Sequence, residues 1–374
     1  MKRVVLASTL KPVDDSRMYE KFALTLASDY EVIVLGFHKA DPSFQPQHPQ
    51  VRCIPVQAFK RFPRWQSNFR YHNLFKELKP DILIVHTIEL LAAAYYYKLQ
   101  NPSCRLVYDV QENYVYNFWY KSDYKGIKRY LLSLAAWGIE QLGKKLINLY
   151  TLAESTYKQE RSFPLKKTLV LENKYFPILP AQKVNVDSSS EKNLQLLLCG
   201  TLSTTYGTRE AIALCIRLHQ AGSPVHLHIM GSCHEPSLMN WIEQVTQEYP
   251  FITLEGGDSL VPHHQIIKAM LQSHYVLLPY PPNPSTQNCI PTKLYECLAL
   301  GIPMIIQENP LWKKLCKQYH AGFSIDYINT PTPSIIETLN ITRDYYPNGP
   351  ITEALWNEEG ELLKQHIQQL IFDK

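Results

Sequence analysis

Between Pro279 and Glu308 the chain reads PYPPNPSTQNCIPTKLYECLALGIPMIIQE, and the residue types there suit a phosphorylated, hydroxyl-rich ligand. Proline removes a backbone donor and fixes φ, so Pro279–Pro291 is expected as an exposed loop. A helix then opens, with Thr292 as a candidate N-cap and Leu294, Leu298 and Leu300 as apolar anchors, and it stops at Gly301. Lys293 sits in its first turn and Glu296 one turn further in. Free N–H groups and the positive end of a helix attract phosphate, and a carboxylate accepts paired hydrogen bonds from a ribose diol. A lone glutamate on an amphipathic helix is ordinarily just solvated. The loop, Lys293 and Gly301-Ile302-Pro303 in one frame give Glu296 a second reading, as part of a binding site.

Other residues with chemical potential fall at the ends of expected strands. Leu194–Cys199 reads as a strand running into Gly200-Thr201-Leu202 and, through Tyr206-Gly207, into a helix over Thr208–Gln220. Such a turn, taken alone, is a weak phosphate signal. In the first half, Asp15 or Ser16 caps a helix that carries Arg17, His86 ends a strand, and Gln111 and Glu112 follow another. Glutamine positions a hydroxyl but takes no proton, which leaves Glu112 as the charged candidate there. As a first-turn acid, Glu112 also suits the helix dipole, while His86 also suits a satisfied strand end.

The elements that must position these residues are legible as short β-branched runs: Val4–Ser8, Glu31–Gly36, Val51–Val56, Ile82–His86 and Leu106–Asp109, with helical periodicity between most of them. Such alternation predicts a parallel sheet wrapped by helices, with the ligand crevice beyond the carboxyl ends of the strands. That points to the loops Thr9–Arg17, His86–Glu89 and Asp109–Tyr116. The pattern restarts after a stretch holding Pro177, Pro180 and Ser188-Ser189-Ser190. The organisation expected is a first domain over 1–176, a linker over 177–192, a second domain over 193–348 and a closing helical segment over 349–374.

Bulk properties exclude several classes. At 374 residues, 45% hydrophobic and 19% charged, the chain suits a soluble two-domain protein, and a net charge of +4 is too mild to argue nucleic-acid binding. The eight cysteines form no CxxC pair and read as reduced thiols of a cytoplasmic protein, with neither a disulfide framework nor a zinc site. Met1–Ser8 reads as a first strand and not a signal peptide, and no apolar run is long enough to span a bilayer. From Tyr114 to Tyr130, aromatics alternate with Lys121, Lys125, Lys128 and Arg129. No nucleic-acid motif accompanies them, so a contact with an anionic membrane surface competes with simple core packing.

The Pro279–Pro303 passage resembles the donor site of retaining nucleotide-sugar glycosyltransferases with two Rossmann-like domains, the GT-B fold of glycosyltransferase family 4. Members carry two glutamates with seven residues between them, followed by small residues and Gly-x-Pro; here Glu296 and Leu298–Pro303 match, and Asn288 stands in the first slot. Pro12-Val13-Asp14-Asp15-Ser16-Arg17 is similar to the family's first loop. His86 matches half of a His-x-His pair, Asp109-Val110-Gln111-Glu112 has glutamine where Asp-x-His-Glu is usual, and Tyr206 replaces a lysine. The resemblance implies an α/β protein whose two Rossmann-like domains face a cleft, with the C-terminal helix crossing back to the first domain. It implies transfer of a sugar, with retention, from a UDP- or GDP-linked diphosphosugar to a glycan or lipid-linked acceptor in cell-surface polysaccharide synthesis. No cofactor or metal is expected. Donor binding falls to Gly200, Thr201, Leu202, Asn288, Lys293, Glu296 and Arg17, the acceptor side to His86, Gln111 and Glu112, and catalysis to Lys293, Glu112 and Gln111. A sugar-nucleotide epimerase or hydrolase of the same architecture, and a non-catalytic binding subunit, remain as alternatives, the latter because of Asn288, Gln111 and Tyr206. The expected location is the cytoplasm, extending to the inner face of the membrane.

Overall fold

The computed structural model describes residues 1–38, 41–56, 67–120, 126–160, 163–178, 193–284, 287–341 and 343–372. The chain forms two compact units, one of Met1–Phe176 with Trp356–Lys374 and one of Pro177–Leu355. The expected linker falls largely outside the described residues.

In unit 1 the apolar runs become β1 (Arg3–Ala7), β2 (Glu31–Gly36), β3 (Val51–Pro55), β4 (Ile82–Val85), β5 (Arg105–Val110), β6 (Leu149–Leu152) and β7 (Thr168–Val170). They pair in parallel, in the order β3-β2-β1-β4-β5-β6-β7. The direction of the strand order reverses between β1 and β4, the place where an open α/β sheet parts its loops and takes a ligand. A π-helical stretch, Ser16–Ala23, continues into α1 (Leu24–Leu26); its cap is Asp15, whose carboxylate accepts from the Arg17 and Met18 amides. The remaining helices are α2 (Ser67–Leu78), α3 (Leu91–Gln100), α4 (Tyr114–Tyr120), α5 (Ile127–Leu142) and α6 (Tyr157–Glu160).

Unit 2 repeats the plan with β8 (Leu194–Leu202), α7 (Thr208–Gln220), β9 (Val225–Cys233), α8 (Pro236–Glu248), β10 (Ile252–Gly257), α9 (His263–Gln272) and β11 (Tyr275–Leu278). It continues through α10 (Thr292–Leu300), β12 (Met304–Gln307), α11 (Pro310–Tyr319), β13 (Gly322–Ile325) and α12 (Thr332–Asn340). Its parallel order is β10-β9-β8-β11-β12-β13, with the reversal between β8 and β11. Two Rossmann-like parallel-sheet units were expected and are present. The end of β8 differs: it runs on through Gly200-Thr201-Leu202, which pair in register with Gly231-Ser232-Cys233 of β9, so this segment is strand where a loop was expected.

The chain re-enters unit 1 at Trp356, and α13 (Asn357–Phe372) closes that unit. Trp356 is 2% exposed; its backbone N–H donates to the Tyr175 carbonyl and its indole N–H to Thr25 Oγ1 at 3.0 Å. Leu363 and Ile367, about two and three turns further, enter the same core as Val4, Phe22 and Leu26. Burying each such aliphatic side chain stabilises by roughly 1.5–3 kcal/mol, and the indole more. Trp356→Ala is therefore expected to destabilise unit 1 by about 3–5 kcal/mol, read as an earlier unfolding transition in calorimetry with that of unit 2 in place.

Candidate active site

The two units each place polar residues at the carboxyl end of the sheet. In unit 2 the centre is Glu296, on α10. It is 1% exposed, so it does not face bulk water. Its Oε2 accepts from Lys293 Nζ at 2.5 Å, and its Oε1 lies 2.9 Å from His263 Nε2, at the start of α9. Burial pushes the Glu296 carboxyl up, but the Lys293 ammonium and the His263 imidazole outweigh it and hold the group down at about 2. Burial likewise lowers the Lys293 amine, and Glu296 reverses this and raises it. The two residues, three apart on one helix face, keep each other ionised away from water.

Lys293 also joins the segments that sequence analysis singled out separately. Its Cε lies 3.8 Å from where a Cβ on Gly200 would be, so its stem passes over the end of β8. Gly200 pairs in register with Gly231, and Gly231 with Gly256, which lines up three glycines across β8, β9 and β10. A Cβ on Gly231 would fall 1.8 Å from the Gly200 carbonyl oxygen. Gly231 and Gly256 have no room for a side chain and Gly200, at φ 112°, disfavours one, so backbone is what this edge offers to anything above it. Thr201 is exposed and Leu202 is buried beyond it. The turn into α7 is pinned by Glu235, whose carboxylate takes Thr204 N–H at 3.1 Å and Thr204 O–H at 2.7 Å. Gly207, at φ 78°, lets that turn lie against β11's loop, where a Cβ would meet the Pro279 carbonyl at 2.1 Å.

Pro291, not Thr292, occupies the position before α10, and no side chain caps the helix. Proline cannot cap by its side chain, and the Leu294 N–H donates to the Pro291 carbonyl at 2.9 Å, so the capacity for an anion rests with the Thr292 and Lys293 N–H groups. The preceding loop is anchored by α11: Asn309 Nδ2 donates to the Gln287 carbonyl at 2.8 Å and the Trp312 indole N–H to the Cys289 carbonyl at 2.8 Å. Asn288 stands exposed between those anchors. Tyr206 packs edge-on against Tyr280, which packs in turn on Trp312. Tyr206 is thus part of an aromatic stack with Tyr280 and Trp312.

In unit 1 the hub is Asp109, fully buried at the end of β5. Arg17 donates to it twice, Nη2 to Oδ1 at 2.7 Å and Nε to Oδ2 at 2.9 Å, and Thr151 O–H to Oδ1 at 2.7 Å. Gln111 Nε2 reaches Oδ2 at 3.1 Å and His86 Nδ1 lies 2.8 Å from it. Burial pushes the Asp109 carboxyl up, and the Arg17 guanidinium, with His86, overrides this and holds it far below the usual carboxylate range. Arg17 Nη1 also donates to the Leu171 carbonyl and Asn173 Oδ1, and the guanidinium lies 5.2 Å from the Phe22 ring centre and 6.0 Å from that of Trp356. Its guanidinium is thus occupied inside unit 1, holding β5 to the end of β7, in place of the free phosphate ligand expected. His86 Nδ1 faces both Asp109 Oδ2 and Gln111 Nε2, while its Nε2 is buried and has no hydrogen-bond partner among the described residues. Glu112 is half-buried and accepts from Asn117 Nδ2 on α4 at 2.5 Å. Of the membrane-contact residues, Lys121 and Lys125 lie outside the described residues, Lys128 is exposed on α5, and Arg129 stacks over Trp119 and Tyr130.

His263 and Asp109 were not among the expected site residues. Pro262-His263-His264 at a helix start was a faint signal for the first, and a carboxylate inside an apolar strand end was a stronger one for the second.

No protein-family model matches this chain, and no curated protein does. Solved structures do. Sucrose-phosphate synthase from Thermosynechococcus elongatus aligns over 100% of both chains at 14% identity with a TM-score of 0.68. The Anabaena protein HepE, in complex with UDP and glucose, covers 99% of this chain and 100% of its own at 13% identity and TM-score 0.64. UDP-GlcNAc 2-epimerase from Neisseria meningitidis, bound to UDP-GlcNAc, covers 99% and 100% at 12% identity and TM-score 0.60. The fold is GT-B. Within it, the Gly200–Lys293–Glu296 cluster lies at the β8/β11 switch point of unit 2, and the His86–Asp109 cluster beside the β1/β4 switch point of unit 1.

The Glu296 ion pair makes a signed prediction. A carboxyl depressed in the folded state contributes stability that is complete above its ordinary 4.5 and is lost as pH falls toward about 2. Glu296→Gln is expected to flatten that part of the stability profile, and Lys293→Met to cost about 3 kcal/mol or more at neutral pH by leaving a buried carboxylate short of its cation. Denaturant unfolding across that pH range checks both.

Proposed function

We propose that the protein is a retaining glycosyltransferase that moves a sugar from a UDP- or GDP-linked diphosphosugar to a glycan or lipid-linked acceptor, in the synthesis of a cell-surface polysaccharide. The observation that carries this reading is the Lys293–Glu296–His263 cluster, buried under the uncapped start of α10 and beside the glycine edge of β8. It offers a cation and backbone N–H groups to a diphosphate, and a fixed carboxylate to a ribose. Similar structures hold UDP with glucose, and ADP with acarbose, which supports the same ligand class here.

In this reading the donor exchanges one of Glu296's partners for its own hydroxyls, while His263 keeps the carboxylate ionised and in place. Lys293 and the helix N-terminus stabilise the charge that builds on the departing phosphate. Asn288 hydrogen-bonds the donor sugar without adding charge, and Gly200, Thr201 and Leu202 present the backbone edge beneath the diphosphate. On the acceptor side, His86 Nε2 accepts from a hydroxyl, Gln111 orients it, and Glu112 supplies negative charge. No side chain is assigned as a covalent nucleophile; the departing phosphate takes the acceptor proton, which suits retention.

A second reading, a sugar-nucleotide epimerase, is favoured by the similarity to the Neisseria enzyme. The two separate in one assay, since an epimerase or hydrolase consumes donor with no acceptor present. Thermal shift against a panel of nucleoside diphosphates is expected to show stabilisation by one of them. Lys293→Ala is expected to weaken that nucleotide by roughly tenfold to a hundredfold, the equivalent of one charged hydrogen bond. Glu296→Ala is expected to weaken nucleotides with a free ribose diol more than their 2′-deoxy forms. Full turnover in both variants contradicts the assignment.

A further inference from the structure

Helix α5 has its apolar face on the wrong side for a core helix. Ile127, Tyr130, Leu131, Leu134, Trp137 and Leu142 are between 49% and 84% exposed, whereas Ser133, Ala136 and Glu140 are buried. At 3.6 residues per turn the six exposed side chains share one arc of roughly 140°, and the three buried ones point the opposite way. A surface helix normally shows its core the large apolar residues and water the small and polar ones. Here the arrangement is inverted along a helix of 16 residues, about 24 Å. An ordered outward stripe of this size marks a surface that is covered in use.

The charges around the stripe say what covers it. Lys128 lies on one side near the helix start, and Lys144 and Lys145 follow its end, while the only acid from Ile127 to Lys145 is Glu140, which is buried. A second copy docked about a two-fold axis would oppose these lysines with their own equivalents, because such an interface brings the same patch together from both sides. An anionic bilayer complements them. Tyr130 and Trp137 supply the amphipathic rings that settle at the headgroup boundary. Among the described residues no helix is long and apolar enough to cross a membrane, and α5 is too short to span one, so it fits along the surface.

We propose that α5 docks the protein on anionic membrane, with Ile127, Leu131, Leu134, Trp137 and Leu142 entering the headgroup–acyl boundary and Lys128 and Lys145 contacting lipid phosphates. This stands apart from the donor-site reading, and either can fail without the other. It differs from a patch centred on Lys121–Arg129: the apolar face of α5 carries most of the affinity, and the lysines select the lipid.

Flotation of the full chain with vesicles tests it. Binding is expected to phosphatidylcholine vesicles that contain phosphatidylglycerol, and to fall with added salt. Leu134→Glu and Trp137→Glu, each at an exposed position, are each expected to weaken that binding by tenfold or more, the equivalent of one lost apolar anchor. Lys128→Ala with Lys145→Ala is expected to weaken it by roughly thirtyfold. Thermal unfolding shows that each variant is folded, and Leu131→Asn replaces any that is not. No association with anionic vesicles, or association that all these variants leave intact, overturns the proposal. So does a dimer in sedimentation equilibrium that Leu134→Glu converts to monomer while the parent ignores vesicles, because the stripe is then a self-interface.

Discussion

A carboxylate taken out of water must be held by cations and donors, or it protonates. Both units are built around that constraint. In unit 2 the partners of Glu296 come from its own helix and from α9, so α9 and α10 are fixed to each other by electrostatics as well as packing. In unit 1 the oxygens of Asp109 are shared among Arg17, Thr151, His86 and Gln111, which arise from four different elements or their ends. Removing one partner leaves the others arranged around an uncompensated charge, which is why these clusters hold their geometry. The first lies at a strand-order reversal and the second beside one, where the sheet itself leaves room for a ligand.

The same constraint separates positioning from chemistry among the polar residues. Arg17 carries the most potent phosphate-binding group in the first loop, yet its fork matches the planar carboxylate of Asp109, and that match fixes β5 against the far edge of the sheet. His86 is the converse case. One nitrogen is committed to Asp109, and the other is buried with no hydrogen-bond partner among the described residues.

Much of the fold was legible because strands alternate with helices at regular intervals and a parallel sheet writes near-continuous apolar runs. The α10 passage was legible for another reason: proline, lysine, glutamate and glycine each had a local structural meaning there. His263 was not legible, since its partner lies 33 residues further on and no local period reports that contact. Nor was the extent of β8, because glycine reads as a turn until a neighbouring glycine strand gives it a partner. The orientation of α5 was hidden for a physical reason. A periodic apolar stripe has the same signature whether the helix turns it toward a core or away from one, and only the burial of Ser133, Ala136 and Glu140 decides between them.

The return of the chain at Trp356 bears on the order in which the molecule is made. Unit 2 is a continuous stretch, complete once Leu355 has been synthesised, whereas unit 1 waits for α13, and until then the core around Phe22 and Leu26 stands open where Trp356, Leu363 and Ile367 belong. On a ribosome, the half begun first is thus the half finished last. Its apolar floor is the surface that nascent-chain chaperones would meet, and ribosomes stalled before residue 356 would release a protein whose second unit is sound and whose first is not.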